Sequence, residues 1–231
     1  MSAGSVADYL AMHYRTAAQL ASACGVETPT LMARVGAGLV PAPSYRVDAG
    51  RVLHSVVFGR FAGCDAIPGV YFHPGVAAWV RRASIARGGR DDQAARRILE
   101  RGFKRRYAAT LRRLHRGGLR LDDSFDASAT PKAAGLQARC DTAWVQLMEG
   151  TYGLCVADCG SVTSIALKDV LQEHLTRQAE GDVPSADRER VLRLVSAYAA
   201  AAMPFSPIEY PASSRKRLVD DFSARLRIVT A

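Results

Sequence analysis

The sequence predicts a mainly α protein, a compact multi-helix unit with an N-terminal helix-turn-helix-like module and little β structure. Three observations carry that expectation. Apolar residues recur every three to four positions along several long stretches, the signature of one-sided helices. The best strand candidate is a single short run, Arg51–Phe58. With 231 residues, 48% of them hydrophobic, the chain can fill a substantial core without disulfide or metal staples. Residues 1–45 are expected to form the N-terminal module and residues 46–231 a mainly helical catalytic or binding body, packed with it as one unit.

In chain order, Ser5 to Tyr14 reads as a short amphipathic helix. Thr16 caps a helix over Ala17–Cys24, Gly25 stops it, and Thr28-Pro-Thr starts a second that ends at Gly36 and Gly38. Helix, glycine turn and helix, followed by Gly38-Leu-Val-Pro-Ala-Pro43, is similar to the winged heads of MerR-type regulators, so a DNA-binding regulator stands as an alternative function. The would-be recognition helix, Pro29–Ala37, has Arg34 as its only cation, whereas base and phosphate contacts draw on Arg, Lys, Asn or Gln. Nucleic acid is therefore not the expected partner. Gly69–Gly75 reads as an aromatic loop that sets His73 just before a helix over Val76–Ala86.

From Asp91 to Arg116 a long helix is expected, with Ile98, Leu99, Phe103, Tyr107, Leu111 and Leu114 as its buried stripe. After a polar loop over Leu119–Thr130, Pro131 opens a helix through Leu136, Cys140, Trp144, Leu147 and Met148 that Gly150 stops. Thr151–Val156 reads as a short extended piece or tight turn, and Ser161–Ala179 and Ser185–Met203 as further amphipathic helices.

Charge is concentrated in one segment. Between Arg81 and Arg120 stand fourteen Arg/Lys against three acids, a surplus of +11 that leaves −2 for the rest of a chain whose formal net charge is +9. Such a field steers encounters with anionic partners. An acidic protein is expected to dock on Arg97, Arg101, Lys104, Arg105, Arg112 and Arg113. The five cysteines, an odd and scattered set, are expected to be reduced, and the Cys155/Cys159 spacing lacks the second pair a zinc finger would need. No apolar run approaches the roughly 20 residues of a membrane span, and Met1–Ser5 does not read as a leader, so a cytoplasmic location is expected. There is no phosphate loop, dinucleotide fingerprint or nucleophile elbow; neither cofactor nor metal is expected.

The proline-rich stretch Met203–Pro211 must be a stiff, shaped loop, because three prolines fix φ and push their predecessors towards extended conformations. It feeds a helix with Leu218, Val219, Phe222 and Leu226 on one face. Ser213, Ser214, Arg215, Lys216 and Arg217 are expected to converge at the start of that helix as a cradle for sulfate, phosphate or carboxylate.

Pro43-Ser-Tyr45, Val70-Tyr-Phe-His-Pro74, Gly150-Thr-Tyr-Gly-Leu-Cys155 and Pro204-Phe-Ser-Pro-Ile-Glu-Tyr-Pro-Ala-Ser-Ser-Arg-Lys-Arg217 resemble a family of actinobacterial natural-product biosynthesis proteins. Within it the chain looks like the aziridine-forming enzymes of azinomycin and vazabitide biosynthesis. The resemblance implies ring closure on a vicinal amino sulfate tethered to an acidic amino-group carrier protein, the amine displacing sulfate from the neighbouring carbon. A small second subunit and a noncatalytic, carrier-binding scaffold are the further readings. For the base the sequence offers Glu209, Glu149 and His73, with Glu209 favoured. Ser44, Tyr45, Tyr152 and Tyr210 are candidates to orient the substrate.

Overall fold

The computed structural model describes residues 5–228; the leader expectation at Met1–Gly4 lies outside them. Helices dominate the described residues. They are α1 (Val6–His13), α2 (Ala17–Ala23), α3 (Thr28–Gly36), α4 (Val76–Arg87), α5 (Asp92–Arg116), α6 (Ala133–Met148), α7 (Thr151–Cys155), α8 (Val162–Ala179), α9 (Arg188–Ala201) and α10 (Phe222–Ile228). Their starts follow local chemistry. Ser5, Thr16, Asp91 and Ser161 each accept a hydrogen bond from a backbone N–H three residues on, and Thr16 forms a full capping box with Gln19.

The β content is small but differs from expectation. Five short strands, β1 (Arg15–Thr16), β2 (Tyr45–Val47), β3 (Leu53–Ser55), β4 (Gly59–Phe61) and β5 (Gly69–Phe72), form one antiparallel sheet in the order β1-β5-β2-β3-β4. The run Arg51–Phe58, expected as one strand, folds back after Ser55 into the β3–β4 hairpin. The expected aromatic loop at Gly69–Gly75 begins as β5, a central strand flanked by β1 and β2. Tyr45 pairs with both Ser55 and Tyr71, so β2 also lies inside the sheet.

Thr151–Cys155 is a short helix rather than an extended piece. It follows Gly150, whose φ of 88° is the left-handed conformation glycine supplies. A Cβ there would lie 2.6 Å from the Ala42 carbonyl oxygen, so the glycine also lets this turn press against residues 42–44. The Ser44 hydroxyl donates to Gly150 O at 2.9 Å and completes the contact.

Helix α5 spans 25 residues and is the long element on which others pack. Its buried side carries Leu99, Phe103, Tyr107, Leu111 and His115, while Ile98, expected in the stripe, is 41% exposed. Phe103 stacks on Tyr107 at 5.4 Å and meets Trp79 of α4 and Trp144 of α6 at 6.1 and 5.6 Å. Aromatic burial of this kind contributes about 1.5–3 kcal/mol per side chain. Helix α8 joins two apolar clusters. Ile165 and Val170 belong to the large core shared with the sheet, whereas Leu171 and Leu175 pack with Val191, Val195, Leu218 and Phe222 in a smaller one. The chain between α9 and α10 contains the stiff loop, a 3₁₀ turn at Tyr210–Ala212 and a π-helical segment at Lys216–Asp221.

Gly150→Ala should lose roughly 2–4 kcal/mol of stability, since it combines backbone strain with a contact that one or both chains must relieve. Urea denaturation checks this; a midpoint equal to that of the parent would mean the turn relaxes freely.

Candidate active site

Helix α8 carries two adjacent charges, Lys168 and Asp169, at the seam of the two cores. Lys168 lies three residues after Ile165 and three before Leu171, on the apolar side of the helix, and is only 5% exposed. Its ammonium donates to the Cys155 Sγ of α7 at 3.3 Å. Asp169 Oδ2 accepts hydrogen bonds from the Tyr152 hydroxyl at 2.5 Å and the Tyr107 hydroxyl at 2.9 Å. Three helices therefore fix one carboxylate oxygen.

A cavity of about 360 Å³ opens over these groups. Its walls are Val57 and Phe58 from the β3–β4 turn, Gln146 of α6, Thr151, Tyr152 and Cys155, then Lys168, Asp169 and Gln172, and finally Phe205, Ala212, Ser214 and Arg217 from the proline-rich loop and the helix it feeds. That volume and that mixture of aromatic wall and few polar groups suit a small organic substrate. A second cavity, of about 390 Å³, lies beyond α6 and shares Gln146, Tyr152 and Asp169 with the first. Its rim holds Arg139, which ion-pairs with Glu173 at 2.5 Å and Asp123 at 2.7 Å.

Burial and neighbouring charges shift both groups. Burial pushes the Asp169 carboxyl above the usual carboxylate range, although Lys168 and the two tyrosine hydroxyls oppose the shift. Burial alone would lower Lys168, but the Cys155 sulfur, Asp169 and Tyr198 outweigh it and leave the ammonium above its ordinary value. The Cys155 thiol is raised, first by burial, and so favours its neutral form. A carboxylate that binds a proton more tightly than usual, beside a permanent cation, can take a proton from an amine and face a departing anion.

The residues singled out from sequence distribute differently. Ser214 and Arg217 line the first cavity; Ser214 accepts from the Tyr198 hydroxyl at 2.7 Å, and Arg217 donates to Thr176 Oγ1 at 3.3 Å. The expected cradle does not assemble as a unit. Ser213 Oγ accepts from the Lys216 N–H and donates to Tyr210 O, Lys216 ion-pairs with Asp221, and Arg215 donates to Ala199 O and Ala202 O at the end of α9. Those groups serve turn and helix ends first.

Of the three bases considered, none lines either cavity. Glu149 is exposed at the end of α6. His73 is buried, its Nδ1 accepting from the Gly75 N–H at 2.9 Å and lying 3.2 Å from Cys159 Sγ, and burial, with a smaller push from His13 and against the opposing charge of Asp158, lowers its pKa to about 4. Glu209 is wholly buried; its Oε2 accepts from the Tyr45 hydroxyl at 2.5 Å and the Ser206 hydroxyl at 2.6 Å, while Oε1 has no partner. Of the orienting candidates, Tyr152 reaches the cavity. Ser44 holds Gly150, Tyr45 holds Glu209, and Tyr210 donates to Asp220 at 2.7 Å.

On the basic face of α5, Lys104 is taken by Glu100 and Asp141, and Arg112 by Ala129 O at 3.0 Å. Arg97, Arg101, Arg105 and Arg113 are exposed. In the helix-turn-helix-like module Arg34 donates to Ser84 of α4 at 2.9 Å, so its one expected DNA contact is already engaged. No three His, Cys, Asp or Glu side chains among the described residues are grouped to hold a metal ion.

Fold and site thus define a mainly α protein with a polar cavity lined by a buried lysine, Lys168, and the half-buried Asp169. The chain belongs to a family of unknown function, DUF6058, whose profile matches residues 99–227. Every ionisable group of the first cavity falls inside that segment. No curated protein and no solved structure matches the chain. Among the described residues no helix is long and apolar enough to cross a membrane.

Tyr45→Phe should cost about 1–3 kcal/mol, the range for leaving a buried acceptor short of a partner, and should expose the 203–212 loop to proteolysis. Equal stability and equal cleavage rates in parent and variant would show that Ser206 alone holds Glu209.

Proposed function

We propose that this protein closes an aziridine ring, with a neighbouring amine displacing sulfate from a substrate tethered to an acidic amino-group carrier protein. The observation that carries the reading is buried Lys168 beside half-buried Asp169, both lining a substrate-sized cavity; the motif resemblance supplies the reaction class.

In the step, the amine lone pair attacks the adjacent carbon. The new C–N bond forms as the C–O bond to sulfate breaks, and both electrons of that bond leave with the sulfate dianion. The proton on nitrogen passes to Asp169, which replaces Glu209, Glu149 and His73 as the proposed base because it alone borders the cavities. Lys168, Ser214 and Arg217 face the departing charge. Phe58, Phe205 and Tyr152 exclude water and hold the chain so that nitrogen and leaving oxygen lie opposite each other across the carbon, the arrangement that makes an intramolecular displacement fast.

Delivery fits the layout of α5 and α6. A shallow groove lined by Arg97, Glu100, Arg101, Lys104 and Arg105 of α5 and Gln137 of α6 lies between the two helices, its one acid already paired with Lys104, and Ala138 and Arg139, next in sequence after Gln137, line the second cavity. An acidic carrier docked on the groove would point its tethered arm towards that cavity and so to Asp169. All five cysteines are free thiols, in keeping with a cytoplasmic reaction.

Sulfate release from a carrier-linked vicinal amino sulfate by the purified protein tests the reading. Asp169→Asn should lower kcat/KM by at least about 100-fold, as loss of a general base does. Only ionised Asp169 accepts the proton, so activity should rise with pH through the raised carboxyl pKa, giving an acid limb above the ordinary aspartate range. Stability has the opposite sign. Ionisation of Asp169 costs the folded state as pH climbs from the ordinary carboxylate pKa through the raised one, so Asp169→Asn should be at least as stable as the parent at neutral pH. Undiminished sulfate release by Asp169→Asn would remove it from the mechanism. Arg217→Ala should lower kcat by roughly 10²-fold with little change in melting temperature, whereas Arg215→Ala should lower the melting temperature through loss of the α9 carbonyl contacts.

A further inference from the structure

Away from the Lys168–Asp169 cavity, three arginines gather where the starts of α4 and α8 meet the middle of α5. Gly75 and Gly160 sit back to back there; a Cβ on either would come within 2.8 Å of the other's backbone. This contact brings the two helix starts together as the floor of a cavity of about 520 Å³, into which Arg81, Arg82 and Arg106 project.

The three arginines are differently held. Arg82 Nη1 donates to Gly160 O at 2.8 Å, and its guanidinium lies 4.4 Å from the centre of the Trp79 ring, so it is fixed in place. Arg81 and Arg106 are exposed, and among the described residues neither has a carboxylate within the 4.0 Å of an ion pair. One acid, Asp158, lines the same cavity, its Oδ1 accepting from the Gly160 N–H at 3.0 Å. Three cations facing one carboxylate repel each other. Arg82 registers this: burial and then Arg106 and Arg81 lower its pKa, with Asp158 opposing. An incoming anion would relieve the repulsion.

The cavity does not end at the arginines. A slot of about 230 Å³ adjoins it, sharing Arg82, Arg106 and Val162, and is walled by Trp79, Leu99 and Phe103. At its mouth stand Ile85, 78% exposed, and Ile98, 41% exposed, large apolar side chains left in water on two neighbouring helices. A cationic chamber continuous with an apolar slot is a two-part site.

We propose that this cleft binds a small molecule that joins a tetrahedral oxyanion to a short apolar group. The arginines take the oxyanion through charge-assisted hydrogen bonds, for which the planar guanidinium is well shaped, and the Trp79–Phe103 slot takes the apolar part. A doubly charged phosphate ester gains more from three cations than a singly charged sulfate ester does. The site shares no lining residue with the Lys168–Asp169 cavity and only Arg105 with the α5 groove, so binding that depends on Arg81 and Arg106 stands or falls independently of the proposed ring closure.

Calorimetric titration of the full chain with phenyl phosphate, phenyl sulfate and inorganic phosphate tests this without any turnover. Phenyl phosphate should bind saturably, at least about 10-fold tighter than inorganic phosphate and tighter than phenyl sulfate. The double variant Arg81→Gln/Arg106→Gln should weaken phenyl phosphate by about 10-fold or more while leaving inactivation by heat unchanged, since both side chains are exposed. Ile98→Ser should bring phenyl phosphate down towards inorganic phosphate. No saturable binding, or equal binding by parent and double variant, would overturn the proposal. So would arginine-dependent binding of duplex DNA or of anionic vesicles that phenyl phosphate fails to displace, because the cleft would then serve a macromolecular surface.

Discussion

The arrangement depends on one buried carboxylate. Glu209 has no exposure, yet it ties the Tyr45 hydroxyl of the sheet and the Ser206 hydroxyl of the proline-rich loop to a single oxygen. Removing a carboxylate from water is costly, and the cost is offset here by two short hydrogen bonds. Its effect is positional. With the loop clamped on the sheet, Phe205, Ala212 and Ser214 form one wall of the cavity and Phe58 the facing one, the two phenylalanines meeting edge to face at 5.7 Å.

Lys168 and Asp169 line the same cavity as the residues held by that clamp. A charge held out of water contributes little to folding once desolvation is counted. Lys168 stands on the apolar side of α8, and Asp169, half-buried, turns to the cavities. Asp169 borders two cavities and is oriented by hydroxyls from α5 and α7, so in the proposed reaction a substrate arm entering past α6 would meet a base already in position.

Much of this was legible in the chain. Three- and four-residue periodicity located the long helices, Thr16 and Asp91 marked two of their starts, and three prolines marked a stiff loop beside the cavity. Two features escaped for physical reasons. The strands are two to four residues long, too short for alternation to declare itself, and they owe their existence to pairing partners far away in sequence. The Ser213–Arg217 cluster looked like a cradle because the residues are adjacent, but a helix sends adjacent side chains in different directions, and three of these five found backbone or carboxylate partners at once. The signal for Lys168 was present, a cation at the helical spacing of Ile165 and Leu171, on the stripe that should have been apolar.

The most direct test is a crystal structure with a bound, unreactive analogue of the amino sulfate, in which a methylene replaces the bridging oxygen so that sulfonate cannot leave. The Lys168–Asp169 assignment predicts the amine within hydrogen-bond distance of Asp169, about 2.6–3.2 Å, and the sulfonate against Ser214 and Arg217. An analogue seated elsewhere, with Asp169 still turned only to its two tyrosines, would contradict it.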